Sequence, residues 1–272
     1  MAETAKKVLF VNSEIFPYLP ETDMATIGRY LPQGIQERKK EIRSFMPRYG
    51  CINERKNQLH EVIRLSGMNI IIGDVDRPLV IKVASISAAR IQVYFIDNDD
   101  YFKRKQIYCD AEGKFFEDND ERAIFFARGV LETVKKLRWA PDIIHCQGWI
   151  SQLVPLYLKK AYKDDPIFSN SKIVLSLYDD TPEGSFSQDF GEKVLFGGIG
   201  KEDIPLLEQP QGINLAKTAI SYSDAVIMGS DAVDPGLAAF CKQQGLPVLE
   251  YDPQAMASGA YIDQYNSFYD QL

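Results

Sequence analysis

Eight residues in three polar segments are the ones whose types could do chemistry. Carboxylates could serve as general acids or bases or hold a cation, and a tryptophan could stack on a sugar. The chain has two histidines, which excludes a His-rich metal site and a relay of several histidines. The eight residues are Ser13, Glu14, Thr22, Asp23, Gln147, Gly148, Trp149 and Asp179.

Each polar segment follows an apolar run that is typical of a buried strand. The run at 8–11 is continuous rather than alternating, as in a strand buried on both faces. The spacing of Met24, Ile27 and Leu31 then predicts a helix from about 24 to 36. Strand, loop and helix open a doubly wound α/β domain, in which ligands bind beyond the carboxyl ends of the strands. Residues 12–25 are therefore the first candidate binding loop.

The rest of the chain extends this pattern as one domain over residues 1–272, with a β-rich insertion at about 57–90. Short runs at 62–65, 68–72, 79–83 and 91–96 predict antiparallel strands or hairpins. Further strands are predicted at 42–46, 140–145, 173–178 and 225–230, and helices at 119–131, 215–220, 232–243 and 260–272, with Asp118 or Asn119 as an N-cap. Residues 183–212 have no pattern and predict a loop, and 248–251 an edge strand.

Several conspicuous residues have a structural interpretation beside the chemical one. Asp179 and its neighbour Asp180 could do acid–base chemistry, but capping of the next turn is the preferred interpretation. Trp149 is expected to pack on the following helix and His145 to be a hydrogen-bonded strand-end histidine. Arg48 is expected to form a structural ion pair. The polar stretch beginning at Asp97 could hold a cation, but its spacing does not fit an EF-hand and basic neighbours offset its charge.

Composition limits the partners and the compartment. The net charge of -7 argues against nucleic acid and against an anionic membrane as partners. No apolar run approaches the roughly 20 residues that span a bilayer, and the N-terminus lacks the apolar core of a signal peptide. The four cysteines form no CxxC pair and are expected to be reduced thiols of a cytoplasmic protein. No metal and no cofactor is predicted.

The motifs together resemble bacterial glycogen and starch synthases, from Lys7 to about Leu246. Ser13-Glu14, Pro17-Tyr18, Ala25 and Leu31-Pro32 fall in register with that family's N-terminus. Similar segments recur in the family's order at 47–50, 97–104, 118–122, 141–145 and 222–230. The resemblance implies a Rossmann-like, mostly parallel sheet, the N-terminal half of a two-domain (GT-B) glycosyltransferase. It also implies that the chain stops where the second, nucleotide-binding domain would begin.

The residues that the family uses for chemistry are replaced in this chain. The family lysine aligns with Pro20, and its glycine pair aligns with Thr22 and Asp23. In the family's His-Asp-Trp-His motif, the first histidine, which touches the donor sugar, aligns with Gln147. Gly148 replaces the aspartate and only Trp149 is retained. Further on, Tyr178 and Asp179 replace a His-Asn pair. No catalytic residue is assigned, because Pro20 and Gln147 are degenerate positions.

The resemblance implies glucosyl transfer from a nucleotide-glucose to an α-glucan, weak or absent in this chain alone. Its implied ligands are a nucleotide-glucose or an α-glucan, and its implied partner is a protein that supplies the second domain or another copy of the chain. One alternative is a non-catalytic, sugar- or protein-binding regulatory module. Another is a different enzyme that uses the carboxylates of Glu14, Asp23 and Asp179 in the same cleft.

Overall fold

Ten strands form one sheet in the computed structural model, which describes residues 5–272. Their order is β10-β9-β8-β7-β1-β2-β6-β5-β3, with β4 paired to β5. All strands from β10 to β6 are parallel, and β5 joins β6 antiparallel. The strands are β1 (Lys7–Asn12), β2 (Glu41–Pro47), β3 (His60–Glu61), β4 (Met68–Ile72), β5 (Val75–Ile86), β6 (Ile91–Asp97), β7 (Ile143–Gln147), β8 (Lys172–Leu177), β9 (Ala225–Met228) and β10 (Val248–Leu249).

Helices cover both faces of the sheet, so the predicted doubly wound α/β class is confirmed. One apolar core lies under α1, α8 and α9, and a larger one includes buried residues of α3, α4 and α6. The continuous run at 8–11 is fully buried, as its composition predicts. The helices are α1 (Asp23–Glu37), α2 (Asp99–Phe102), α3 (Asn119–Leu137), α4 (Val154–Lys159), α5 (Phe190–Val194), α6 (Gly212–Ser221), α7 (Pro235–Gln243), α8 (Pro253–Ser258) and α9 (Tyr261–Asp270).

The order of connections creates a crevice between β1 and β7. The chain leaves β1 on one side for β2 and β6, and it returns to β7 on the other side. Ligands of open α/β sheets bind at such a switch point, beyond the carboxyl ends of the strands. The register pairs Asn12 at the end of β1 with Gln147 at the end of β7. Two of the predicted polar segments therefore meet at the switch point.

The predicted β-rich insertion is present, but one of the strands predicted in it does not form. Residues 62–65 form a turn, closed by a hydrogen bond from the Leu65 N–H to the Val62 carbonyl (2.9 Å). The Val62 N–H still donates to the Ile81 carbonyl of β5 (2.8 Å), but the chain then turns and leaves Ile63 82% exposed, so the run does not continue as a strand. Instead β5 is longer than predicted and pairs with β3, β4 and β6.

Local contacts also correct two smaller predictions. Residues 183–212 include the helix α5 and two 3-10 turns, because Phe190 and Val194 are buried in the core. So short a helix leaves no periodic pattern in the sequence. Asp118 does occupy the N-cap position of α3, but its side chain makes no capping bond and pairs with Arg104 instead.

Ion pairs account for the polar stretch that begins at Asp97. The buried Asp97 carboxylate contacts Arg48 (2.9 Å) and Lys82 (3.0 Å), which confirms the structural interpretation of Arg48. Across residues 5–272, no cluster of three His, Cys, Asp or Glu side chains could hold a metal ion. Over the same residues, no helix is long and apolar enough to cross a membrane.

Candidate functional site

The crevice between β1 and β7 brings together Ser13, Gln147 and Gly148. The Ser13 N–H donates to the Gln147 carbonyl oxygen (2.9 Å), and the Ser13 hydroxyl donates to the same oxygen (3.0 Å). Both side chains are buried. These contacts tie the loop after β1 to the loop after β7, so the predicted pair of binding loops forms one surface.

Both ends of the Gln147 amide are hydrogen-bonded inside the protein. Its Nε2 donates to Asn12 Oδ1 (2.8 Å), and its Oε1 accepts from the Tyr178 hydroxyl (3.0 Å). The residue has no exposed surface. Because the side chain is fully buried, it could reach a ligand only by giving up these two hydrogen bonds. Gln147 therefore ties the ends of β1, β7 and β8 together.

Gly148 allows the two loops to approach closely. Its φ of +81° lies in the region that glycine adopts without strain. A Cβ atom at this position would collide with the Ser13 hydroxyl and would lie 2.9 Å from the Met24 sulfur. The backbone leaves no space here for the aspartate that the resemblance would place at this position.

The loop after β1 is acidic and exposed at the place where the family carries its lysine and glycines. Pro20, Thr22 and Asp23 are exposed, and Pro20 has no N–H to donate. The Thr22 hydroxyl donates to Glu14 (2.8 Å) and accepts from the Ala25 N–H (3.0 Å) as the N-cap of α1. The loop thus presents three carboxylates, Glu14, Glu21 and Asp23, and no basic group of its own.

Trp149 lies in an aromatic cluster rather than at an open surface. Its ring is 2% exposed and packs against Tyr108 (4.9 Å between centroids), Phe186 (5.7 Å) and Phe115 (5.8 Å). The expected packing role is therefore observed, although these partners come from loops rather than from the following helix. A sugar could stack on this ring only if the cluster opened.

Asp180, which sequence reasoning treated only as a neighbour of Asp179, is the perturbed carboxylate of the site. Its Oδ2 accepts from the Trp149 N–H (2.7 Å), so it fixes the loop after β7. Burial raises the pKa of Asp180 to about 6, and the nearby carboxylates of Glu14 and Asp179 act in the same direction. The adjacent Asp pair was the only sequence signal, and it could not say which member turns inward.

The three carboxylates of the alternative enzyme do not share one cavity. Asp23 lines a cavity of about 330 Å³ beside α1, and Asp179 lines another of about 510 Å³ beside α6. Glu14 lines neither cavity and accepts from the Thr22 hydroxyl in the loop before α1. The geometry therefore gives this alternative no convergent set of acids.

His145 is a structural residue, as its place in the strand indicated. Its ring is fully buried, with Nε2 2.6 Å from the Ser176 hydroxyl and Nδ1 2.7 Å from the Tyr269 hydroxyl. Burial lowers the pKa of His145 to about 3. The ring is neutral near pH 7 and links β7 to α9.

Comparison with known proteins gives one consistent relationship. The starch synthase catalytic domain family matches residues 7–234. Glycogen synthase of Chlorobaculum parvum is 35% identical over 282 aligned residues, which cover 100% of this chain and 56% of that protein. Glycogen synthase of Chlorobium chlorochromatii is 38% identical over 187 residues, covering 68% and 38%. The chain thus spans about half the length of the curated relatives it matches.

A solved structure has the same fold. The catalytic domain of starch synthase IV from Arabidopsis thaliana, bound to ADP and acarbose, aligns with a TM-score of 0.73 at 16% identity, over 90% of this chain and 51% of that chain. The shared architecture is the N-terminal half of a two-domain glycosyltransferase. Together with the match over residues 7–234, it means that this chain belongs to the starch synthase catalytic domain family.

Proposed function

We propose that this chain is a degenerate domain of a synthase-type glucosyltransferase, one that transfers glucose weakly or not at all by itself. The chain derives from enzymes that transfer glucose from a nucleotide-glucose to an α-glucan. The observation that carries the proposal is the engaged amide of Gln147, which stands where the family has the histidine that touches the donor sugar. A cytoplasmic location is part of the proposal, in keeping with four free cysteines.

Electrostatics at the crevice support the same conclusion. A nucleotide diphosphate leaving group needs cationic or N–H groups that neutralise its developing charge. The loop from Glu14 to Asp23 offers carboxylates at this point, and Pro20 offers neither a charge nor an N–H. Two unit charges of like sign 4 Å apart repel by about 4 kcal/mol at an effective dielectric of about 20. Such repulsion disfavours a bound diphosphate.

A glucosyl-transfer assay tests the proposal directly. The purified chain is incubated with ADP-glucose or UDP-glucose labelled in the glucose and with a maltooligosaccharide acceptor, beside a full-length bacterial glycogen synthase as positive control. We expect no transfer above background. Turnover near 1 per second, an ordinary enzymatic rate, would contradict the proposal.

Restoration variants make the assay more specific. The double variant Pro20→Lys and Gln147→His returns the two family side chains to their positions, and Thr22→Gly with Asp23→Gly returns the glycine pair. Calorimetric titration with ADP-glucose should show donor binding in the restored chain and not in the wild type. Strong donor binding by the wild type, weakened by Asp23→Gly, would instead mean that the crevice still recognises a donor.

A non-catalytic, sugar- or protein-binding module is the second candidate. Two observations favour it. The residues of the crevice are used to stabilise the domain, and two separate cavities, lined by Asp179 and by Asp23, could hold a ligand. Titration with a maltooligosaccharide separates the two forms of this candidate. A heat of binding for the oligosaccharide and for no nucleotide sugar would support a sugar-binding module. If no sugar gives a heat of binding, the partner to test is a protein that supplies the second domain, or another copy of this chain.

A further inference from the structure

A cavity of about 470 Å³ lies against the β-rich insertion, and we call it the insertion cavity. Its walls come from three segments: Pro17 and Tyr18 in the loop after β1, Lys56 and His60 around the start of β3, and residues 85–88 at the end of β5 and in the turn after it. It shares no lining residue with the cavities that Asp23 and Asp179 line. Its volume is within the range of small-molecule sites.

One wall of the insertion cavity contains a buried hydroxyl group that has no partner. Tyr18 is 7% exposed, its ring packs edge-on against Phe95 (4.9 Å between centroids), and its buried hydroxyl makes no hydrogen bond within residues 5–272. Burial raises the pKa of Tyr18 to about 12, so the hydroxyl is protonated near pH 7 and can donate. A buried donor without an acceptor costs free energy, and a bound ion is one explanation for such a group. Tyr18 therefore lacks an acceptor.

A second buried group near Tyr18 is a positive charge without a counter-ion. Arg29 of α1 is 8% exposed, and its charge opposes the effect of burial on the Tyr18 pKa. Its guanidinium donates to Gln33 (2.8 Å) and its Cζ lies 5.0 Å from the centroid of the Tyr30 ring, but it forms no ion pair within residues 5–272. Buried charges are normally paired. An anion near Tyr18 would supply both the missing acceptor and the missing negative charge.

The side chains at the mouth of the insertion cavity have the same sign of charge. Lys56 and His60 line it, and no Asp or Glu is among its lining residues. Pro17 and Ile86 give the walls apolar surface as well. A phosphate monoester has several acceptor oxygens that can be shared between a lysine and a hydroxyl, and basic side chains offset its charge. The apolar walls suit an organic ring attached to that phosphate.

We propose that the insertion cavity binds a small molecule that carries a phosphate monoester and an apolar ring. The phosphate accepts from the Lys56 ammonium and from the Tyr18 hydroxyl, in the positive field of Arg29. The ring lies against Pro17 and Ile86. This assigns a ligand site separate from the crevice, and it goes beyond the proposed function without resting on it.

Nuclear magnetic resonance titration of the full chain with phenyl phosphate, at constant ionic strength, tests the site. We expect amide shifts to change at Tyr18 and across 56–60 and 85–88, with a dissociation constant on the order of 1 mM. Lys56→Met keeps the length of the side chain and should weaken binding about tenfold, because a charge-assisted hydrogen bond is lost. Tyr18→Phe keeps the ring and should weaken binding about fivefold, because one hydrogen bond is lost.

Two matched variants control for general effects of charge and of buried hydroxyls. Lys105→Met removes another exposed lysine, and Tyr265→Phe removes a hydroxyl from another buried tyrosine. Neither residue lines the insertion cavity, so both variants should bind phenyl phosphate as the wild type does. A titration that shifts no amide of the cavity, or binding that neither Lys56→Met nor Tyr18→Phe weakens, would overturn the assignment.

Three related probes test the assigned ligand chemistry. Phenol lacks the phosphate, benzoate carries a single charge in its place, and inorganic phosphate lacks the ring, so each should bind more weakly than phenyl phosphate. Phenol or benzoate that binds as tightly would overturn the phosphate assignment, and inorganic phosphate that binds as tightly would overturn the assigned ring contact. The result of the glucosyl-transfer assay affects none of these titrations, so the two proposals can fail separately.

Discussion

At the scale of single residues, the contacts of Gln147 and Gly148 across the crevice between β1 and β7 support the proposal that this chain transfers glucose weakly or not at all. Gln147 has its amide bonded to Asn12 and Tyr178, and Gly148 has Ser13 and Met24 where a side chain would be. Both residues have become part of the packing. Substitutions at Gln147 or Gly148 are therefore expected to lower the free energy of unfolding, which can be measured without a ligand.

The first prediction concerns Gly148→Ala. We expect the free energy of unfolding to fall by about 2–4 kcal/mol, because the substitution combines a strained φ of +81° with a collision against Ser13. Urea denaturation measures the change. Gly198→Ala is the matched control, since Gly198 has a φ of +88° but no atom within 4 Å of an added Cβ. The control should lose only about 1 kcal/mol, and equal losses would mean that the close contact is unimportant.

The second prediction concerns the pH dependence of Asp180. Its folded pKa of about 6 lies above that of an unfolded aspartate, so the folded state binds the extra proton between these two values. The contribution of Asp180 to the free energy of unfolding should therefore fall as the pH rises from about 4 to 7, and Asp180→Asn, which can still accept the Trp149 N–H, should remove that fall. We expect the variant to gain about 1–2 kcal/mol relative to the wild type over this range.

Urea titrations of both proteins at several pH values measure this difference. His145, whose pKa burial lowers to about 3, titrates in both proteins and cancels from the comparison. A difference in unfolding free energy that stays constant with pH would show that Asp180 is ionised in the folded protein as easily as in the unfolded chain. Asp231→Asn is the control, because Asp231 is exposed and the carboxylates that raise the pKa of Asp180 are Glu14 and Asp179.

At the scale of elements, α9 holds the sheet beneath the crevice. The Tyr269 hydroxyl lies 2.7 Å from Nδ1 of His145, and the Tyr269 carbonyl accepts from Lys6 (2.7 Å). Lys40 donates to Asn266 (2.7 Å) from the turn after α1. These bonds connect the last helix to β7, to the residues before β1 and to the end of α1.

The third prediction tests this attachment. Tyr269→Phe should cost about 1–3 kcal/mol of unfolding free energy, because it leaves a nitrogen of the buried His145 without a partner. Tyr265→Phe, on the same helix, removes a hydroxyl that makes no hydrogen bond within residues 5–272, and it should cost less than about 0.5 kcal/mol. Thermal or urea unfolding of the two variants provides the comparison. Equal effects would mean that α9 is held by apolar packing alone.

At the scale of the whole molecule, the C-terminal segment shares a buried core with the family domain, and we expect the two to unfold as one unit. Tyr261, Tyr265, Phe268 and Tyr269 of α9 share a buried cluster with Val8 and Phe10 of the first strand and with Ile143 of β7. A segment that completes a core cannot leave without exposing that core to water.

The fourth prediction follows from this shared core. Native-state hydrogen exchange should give the amides of α9 an opening free energy close to that of β7, because both are released only when the domain unfolds. The exposed turn at Gly73 and Asp74, between β4 and β5, is the internal reference and should exchange much faster. Fast exchange throughout α9, with β7 still protected, would contradict a single folding unit.

The local sequence determined much of the architecture. Continuous apolar runs mark the central strands, and the periodicity after Asp23 marks α1, because a buried strand or helix face needs only its own residues to be recognisable. Family motifs identified the class and the two loops of the crevice. The run at 62–65 is a turn rather than the predicted strand, because apolar composition alone does not show where the chain turns away from its neighbour β5.

Only the tertiary structure decided what the residues of the crevice do. Gln147 and Asn12 are 135 positions apart, and their bond exists because the crossover of the chain sets β7 beside β1. The same is true of Asp180, which turns toward Trp149, and of Tyr261, which meets Asp23 across a cavity. A sequence reports the chemical type of each side chain, but hydrogen-bond saturation, burial and pKa depend on neighbours that only the folded topology brings together.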